Sequence, residues 1–297
     1  YYPLWIDGLF ADHELMWLGT ARERLTFCLA SEAELFRPPA VDATHELVET
    51  LRKRGPLDFA GLAEMLELDT ADLATALWSE AWRGTVGNDG FQSVRRGIET
   101  KFTATRAESP RGSSARWPGR RGSRPSSRVV GMREWRATRP LAGRWYALPD
   151  SGAADPLEAT ENDRERARVL LRRYGIVFRE LVVRESDAFT WSSIFRALRL
   201  MELAGEVVSG AFVREVGSPQ FALRSALELL PRGRASTRIV WMSALDPASP
   251  CGLTLGSVFE NLPSRIAGTY IVFRGPAHTM TVRRSGRELE FHVPSDD

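Results

Sequence analysis

One pattern recurs along this chain: an apolar helical stretch that runs directly into a short strand, a tight polar turn and a second strand. It is clearest at 190–214, TWSSIFRALRLMELAGEVVSGAFVR. It returns at 69–95, DTADLATALWSEAWRGTVGNDGFQSVR, and more faintly from Leu9 to Leu29. A helix feeding a β-hairpin is the second half of a winged-helix unit. The chain is therefore expected to be a tandem array of such units, which commonly handle nucleic acid or brace a motor domain.

Periodicity and breakers place the modules. Residues 1–38 read as the end of a truncated winged-helix module, with strands at Glu14–Leu18 and Arg24–Leu29 around a GTAR turn, closed by Pro38-Pro39. Residues 42–100 read as a complete winged helix. Asp42 or Thr44 caps a first helix that puts Leu47, Val48 and Leu51 on one face, and Gly55-Pro56 ends it. A second helix spans Phe59–Met65. A third opens at Asp69 or Thr70 and carries Leu73, Leu77 and Trp78 inward as far as Trp82. The wing is read as Thr85–Gly87, a turn at Asn88-Asp89-Gly90, and Phe91–Val94, because Asp-Gly between short strands is a strong hairpin signal.

Residues 103–140 hold ten arginines against Glu108 and Glu134, are rich in Ser, Gly and Pro, and read as a basic flexible linker. Residues 141–232 read as a second complete winged helix. Asn162 or Asp163 caps a helix to Tyr174, Gly175 is its C-cap, and Ile176–Phe178 is a short strand. Thr190 caps a third helix with Ile194, Leu198, Met201 and Leu203, and the wing is read as Glu206–Ser209, Gly210 and Ala211–Arg214. Phe221–Leu230 is one more helix, ended by Pro231. From about residue 236 the period switches to two. Arg238–Ser243, Thr269–Arg274, Thr279–Arg284 and Glu288–Val293 are strand-like, with glycines at the turns, and 236–297 is expected to close as a small β-barrel. The fold class is α+β: tandem winged helices followed by a barrel.

An apolar share of 43% with 26% charged residues suits a soluble globular protein, and no run of about 18 apolar residues exists to cross a membrane. Cys28 and Cys251 stand far apart in apolar contexts and read as buried thiols of a reducing cytoplasm. A chain that opens YYPLWIDGLF is expected to be part of something longer. The net charge of +2 hides a skew: only Lys53 and Lys101 are lysines, and every other basic residue is arginine. Genome composition accounts for most of that, but the flat guanidinium fork still suits phosphates and guanine edges.

The motifs of several chemistries are missing. There is no G-x-x-x-x-G-K-[ST], no G-x-S-x-G, no H-E-x-x-H and no C-x-x-C, so this chain carries no ATPase site or recognisable metal site of its own. His13, His45, His278 and His292 are scattered. In a winged helix the third helix usually meets the nucleic acid. The one at 190–204 places Arg196 and Arg199 on one face, either for phosphate or paired with Glu202. The one at 70–83 carries Asp72, Glu80 and only Arg83, which reads as structural. Arg120, Arg121, Arg124 and Arg128 of the linker are further DNA-contact candidates, with Trp117 and Trp135 beside them as stacking candidates or plain linker residues.

A resemblance follows from the ordered set AGRWYAL (142–148), LLRRYGIVFREL (170–181), FTWSSIFRALRLMELAGEVVSGAFV (189–213), SPQFAL (218–223) and ALDPASPCG (244–252), with ALWSEAWRGTVGND (76–89) upstream. Together these resemble the C-terminal region of the bacterial large helicase-related (Lhr) proteins over nearly the whole chain. The resemblance implies a parent with an ATP- and Mg-dependent 3′-to-5′ DNA helicase core elsewhere in the polypeptide. It also implies single-stranded or forked DNA as partner, a homo-oligomer, and a nucleoid-associated cytoplasmic location.

That plan is similar to the AlkZ-like DNA glycosylases, which implies possible excision of uracil or damaged bases. Their Gln-x-Gln or Gln-x-Asp motif has no counterpart here: Gln92 is followed by Ser93-Val94 and Gln220 by Phe221-Ala222. A lone carboxylate could serve instead on a flipped nucleotide, with Asp246 as the catalytic candidate beside a pocket lined by Trp241 and Phe273, and Asp296 and Asp297 as weaker ones. Three readings stand: a DNA-binding and oligomerisation region, a glycosylase module, and a winged-helix transcription regulator.

Overall fold

The computed structural model describes residues 3–12, 15–38, 45–103, 141–149, 155–214, 216–253 and 262–292. The chain divides into two compact units, Tyr1–Ala153 and Ala154–Asp297.

The first unit opens with helix α1 (Pro3–Ala11) and an antiparallel hairpin, β1 (Leu15–Ala21) and β2 (Arg24–Leu29), followed by the short α2 (Ala33–Phe36). A winged helix comes next: α3 (Glu46–Arg54), β3 (Leu57–Asp58), α4 (Phe59–Leu66), α5 (Thr70–Trp82) and β4 (Val86–Asn88). The expected caps Asp42 and Thr44 lie outside the described residues, and the observed cap of α3 is His45, whose ring accepts from the Leu47 amide. Asp58 and Asp69 cap α4 and α5 in the same way.

The wing departs from the sequence expectation. Phe91–Val94 does not return as a strand; it begins helix α6 (Gln92–Thr100). The Asn88 carboxamide accepts from the Gly90 amide and from Ser93 Oγ, a local turn that starts a helix. Ser93, Val94 and Gly97 then bury on its inner side. The missing strand is β5 (Arg144–Ala147), which lies between β3 and β4 with Leu57 and Asn88 both opposite Trp145. AGRWYAL thus completes the first winged helix. Trp145 is fully buried, with Trp17 edge-on at 6.3 Å and Trp78 at 5.6 Å. Such rings dominate a core because each removes a large apolar area from water.

The second unit opens with α7 (Pro156–Tyr174), which starts earlier than the expected Asn162 or Asp163. Asp155 accepts from the Leu157 amide, and Pro156 fits the first helical turn. Gly175 ends it as expected. Then come β6 (Ile176–Val177), α8 (Arg179–Val182), α9 (Trp191–Leu203), β7 (Val208–Gly210) and β8 (Gln220–Ala222), with β8 between β6 and β7. The second wing strand is therefore 220–222, not 211–214. Buried Gln220 explains the difference. It accepts from the Phe212 and Val213 amides and donates to the Val213 and Val216 carbonyls, holding the wing loop as a turn. Helix α10 (Arg224–Ala235) runs through Pro231 where a stop was expected.

Four antiparallel strands finish the unit: β9 (Ile239–Ser243), β10 (Tyr270–Arg274), β11 (Ala277–Arg283) and β12 (Glu288–Phe291). They follow the expected strand positions, but the expected barrel does not form. The sheet is open, in the order β12-β11-β10-β9, and its outer strands do not pair. Closure needs enough tilted, staggered strands to return the last edge to the first. Four short strands do not.

Candidate nucleic-acid interface

The third helices of the two winged helices differ in what surrounds them. In α5, Leu73, Ala74, Leu77, Trp78 and Ala81 are buried, and so is Glu80 at 2% exposure. Glu80 pairs with Arg83 at 3.0 Å and accepts from Thr85 Oγ1 at 2.8 Å. Its carboxylate is thus a structural tie, not part of an acidic outer face as expected. Asp72, Thr75 and Ser79 are what α5 exposes. Strand β1 lies across the end of this helix. A Cβ at Gly19 would stand 2.0 Å from the Ala81 carbonyl oxygen, so only glycine permits the approach.

Helix α9 buries Ile194, Ala197, Leu198 and Met201 and leaves Arg196 and Arg199 exposed on its outer side. Arg199 pairs with Glu202, which also accepts from Ser209 Oγ at the start of the wing. Arg196 makes no ion pair among the described residues. Of the two arginines expected on this side, Arg199 is thus in an ion pair and Arg196 is exposed without one among the described residues. Behind the helix, Arg168 of α7 holds Glu206 at 2.7 Å and also meets Glu161 and Glu165. The Arg168 hydrogen bond holds the Glu206 carboxyl below its usual range. This tie fixes the approach to the wing.

Asp246 sits in an exposed turn after β9. Its Oδ1 accepts from the Ala248 amide at 2.8 Å, and its carbonyl accepts from Arg265 at 3.1 Å. The structure does not join Trp241 and Phe273 in one pocket. Strand register puts Trp241 opposite Val272 and Phe273 opposite Val240, on opposite faces of the sheet. Arg120, Arg121, Arg124, Arg128, Trp117, Trp135, Asp296 and Asp297 lie outside the described residues. Gln220 is consumed in the wing, as its four hydrogen bonds show.

The first unit contains a cleft of about 630 Å³ that no sequence motif announces. The hairpin, α2 and strand β5 wall it, with Phe10, Met16, Leu148, Glu34, Asp89 and Tyr146 among its lining. Burial, then Asp89, then the Cys28 thiol push the Tyr146 phenol up to about 12, so it stays a hydrogen-bond donor. Burial and then Glu32 likewise push Cys28 up to about 12, which keeps it an unreactive thiol. Asp89 is fixed by accepting from the Arg144 amide at 2.8 Å. This site is built by pairing across residues 89–143, a distance no local motif spans.

Among the described residues no group of three or more His, Cys, Asp or Glu side chains is placed to hold a metal ion. None of their helices is long and apolar enough to cross a membrane.

Comparison with known proteins supplies the family. Residues 156–241 match the model of a winged-helix domain of the large helicase-related protein. The chain is 31% identical to the "Lhr helicase/ probable uracil glycosylase" of Mycolicibacterium smegmatis, over 97% of this chain and 20% of that protein. It is 30% identical to the "Lhr helicase/uracil glycosylase" of Escherichia coli, over 75% of this chain and 14% of that protein. The chain thus spans a fifth or less of the length of these curated relatives. The DNA glycosylase AlkZ of Streptomyces sahachiroi superposes with a TM-score of 0.43 at 18% identity, over 98% of this chain and 76% of that one. That superposition is too loose to fix fold or function. The family match on the second winged helix and the two alignments agree: this chain belongs to the Lhr helicase family, as a homologue of its C-terminal region.

Proposed function

We propose that this region holds DNA and excises uracil or a related base from it, as the glycosylase part of a longer Lhr-type protein. The observation that carries the reading is the 31% identity, across 97% of this chain, to a relative whose name couples helicase and uracil glycosylase. The exposed Arg196–Arg199 side of α9 supports DNA contact, since paired guanidinium groups one helical turn apart suit a phosphate backbone.

Excision breaks the bond between base and sugar. The electron pair leaves with the base, and water then attacks the sugar cation, giving its proton to a carboxylate. On this reading the cleft of the first unit takes the extruded nucleotide. The Tyr146 phenol donates to the leaving base, and Glu34 or Asp89 receives the proton. Asp246, from its exposed turn, is the competing carboxylate. The sequence offers no phosphate-cradling loop for ATP, so ATP and Mg are assigned to the helicase core of the longer protein.

A second reading, in which the region grips single-stranded or forked DNA for the helicase without chemistry of its own, is favoured by the turn-holding role of Asp246. One experiment separates them. A labelled single strand with one uracil is incubated with the protein without ATP, then cleaved by alkali at any abasic site. Strand cleavage is expected, with loss in Glu34→Gln or Asp89→Asn if the cleft is the site or in Asp246→Asn if the turn is. An intact strand with wild-type protein would leave only the grip. DNA affinity should also drop steeply with salt, on the order of a thousandfold between 50 and 200 mM if about six phosphates are neutralised.

A further inference from the structure

One face of the β9–β12 sheet carries exposed rings at both edges and half-buried side chains between them, and strand register assigns its side chains. Trp241 stands opposite Val272, Val272 opposite Met280, and Met280 opposite Phe291. Directly paired residues share a face, so these four form one row across all four strands. A parallel row on the same face is Ser243, Tyr270, Val282 and Leu289. The other face carries Met242, Ile271 and Phe273, which pack with Ala244, Cys251 and Leu262 into a small core.

This face is apolar and aromatic. Trp241 is 68% exposed and Phe291 65%, at opposite edges of the sheet, and the Trp241 and Tyr270 rings meet edge to face at 5.5 Å. A contiguous apolar patch of this kind marks a contact surface. The charge around it says what the contact is. The described strands and turns of this sheet carry Arg238, Arg265, Arg274, Arg283, Arg284 and Arg287 against Asp246, Glu288 and Glu290. Both glutamates are already paired, with Arg284 and Arg283. Arg274, opposite Ile239, stands on the aromatic face itself. Flat rings with surplus guanidinium groups fit a ligand that offers π-faces and phosphates together.

We propose that this open sheet face is a stacking platform for single-stranded nucleic acid, with bases on Trp241 and Phe291 and a phosphate at Arg274. Three strand spacings of about 4.8 Å put the two rings roughly 14 Å apart, so intervening bases cross Val272 and Met280. The inference rests on the proposed function only in taking DNA as the ligand. It requires no excision.

The test compares fluorescein-labelled oligothymidylate with an abasic strand of equal length, on the full chain, by fluorescence anisotropy. Wild-type protein should bind the thymidylate on the order of tenfold or more tighter. Trp241→Ala with Phe291→Ala should bring the thymidylate down to the abasic level and leave the abasic affinity unchanged. Trp241→Phe with Phe291→Tyr should keep the preference. Trp241→Ala alone, at so exposed a position, serves if the double variant fails to fold. An unchanged preference in the alanine variants overturns the platform. So does a wild-type protein with no preference that self-associates through this face, seen as dissociation of the double variant in ultracentrifugation. Uracil excision is measured on the same samples. A platform without excision would sink the proposed function alone, and excision without a base preference would sink the platform alone.

Discussion

The two winged helices share an order of elements and a strand order, first, third, second, yet they leave the third helix in different surroundings. Helix α5 is enclosed. Strand β1 crosses it at Gly19, Trp17 and Trp78 join one core, and the carboxylate of Glu80 is turned inward to Arg83 and Thr85. Helix α9 keeps an outer side for Arg196 and Arg199. The wings differ too: the first spans residues 89–143 and carries α6, while the second is a short loop held by one buried glutamine. The topology therefore does not decide which third helix keeps an open side; what has been laid over the helix does.

The largest expected effect tests that enclosure. Trp17→Ala removes a fully buried ring from the core that joins hairpin and α5. It should cost the first unit about 3–5 kcal/mol. Calorimetry should show the first unit melting earlier with the second unmoved, and a single shifted transition would show that the units are not independent. Next comes the contrast in DNA contact. Arg196→Ala with Arg199→Ala should weaken binding by about 1–3 kcal/mol, read by anisotropy at fixed salt. Arg83→Ala should barely change affinity while lowering stability, because it removes the cation paired with the buried Glu80 and leaves it only Thr85 among the described residues. Equal binding losses from the two helices would erase the distinction.

A smaller effect concerns the wings. Gln220→Ala deletes bonds to two amides and two carbonyls and should cost about 2 kcal/mol, with faster hydrogen exchange at Phe212 and Val213. Unchanged exchange there would mean the short wing holds itself. The smallest effect is in the sheet. Burial first, then neighbouring His292, hold His278 below 6.5, and Thr281 Oγ1 lies within 3.2 Å of one ring and 2.9 Å of the other. As pH falls the unfolded chain takes this proton first. The contribution is thus present above pH 6.5 and shrinks as pH falls towards the folded value. The second unit should melt slightly lower at pH 5.5 than at pH 7.5, and the first unit, without this pair, should lack that component of the slope. His278→Gln should remove it.

What could be read in the sequence was what is local. Periods of 3.6 and two located α5, α9 and the four strands of the final sheet. The three-residue spacing of Arg196 and Arg199 put them on one side of a helix, and Asp69 and Gly175 mark helix ends through bonds to their own neighbours. What needed the tertiary structure was every choice of distant partner. Asp-Gly at 89–90 announced a hairpin, but Asn88 bonded Gly90 and Ser93 and the strand came from Arg144–Ala147. Alternation in the last 60 or so residues announced strands, but could not say whether the edges meet. The sign of Glu80 was plain and its direction was not, because burial depends on Arg83, Thr85 and the strand laid over Ala81. Side-chain periodicity is fixed by the backbone's own geometry. Pairing across tens of residues is fixed by whichever long-range packing repays the entropy of closing the loop.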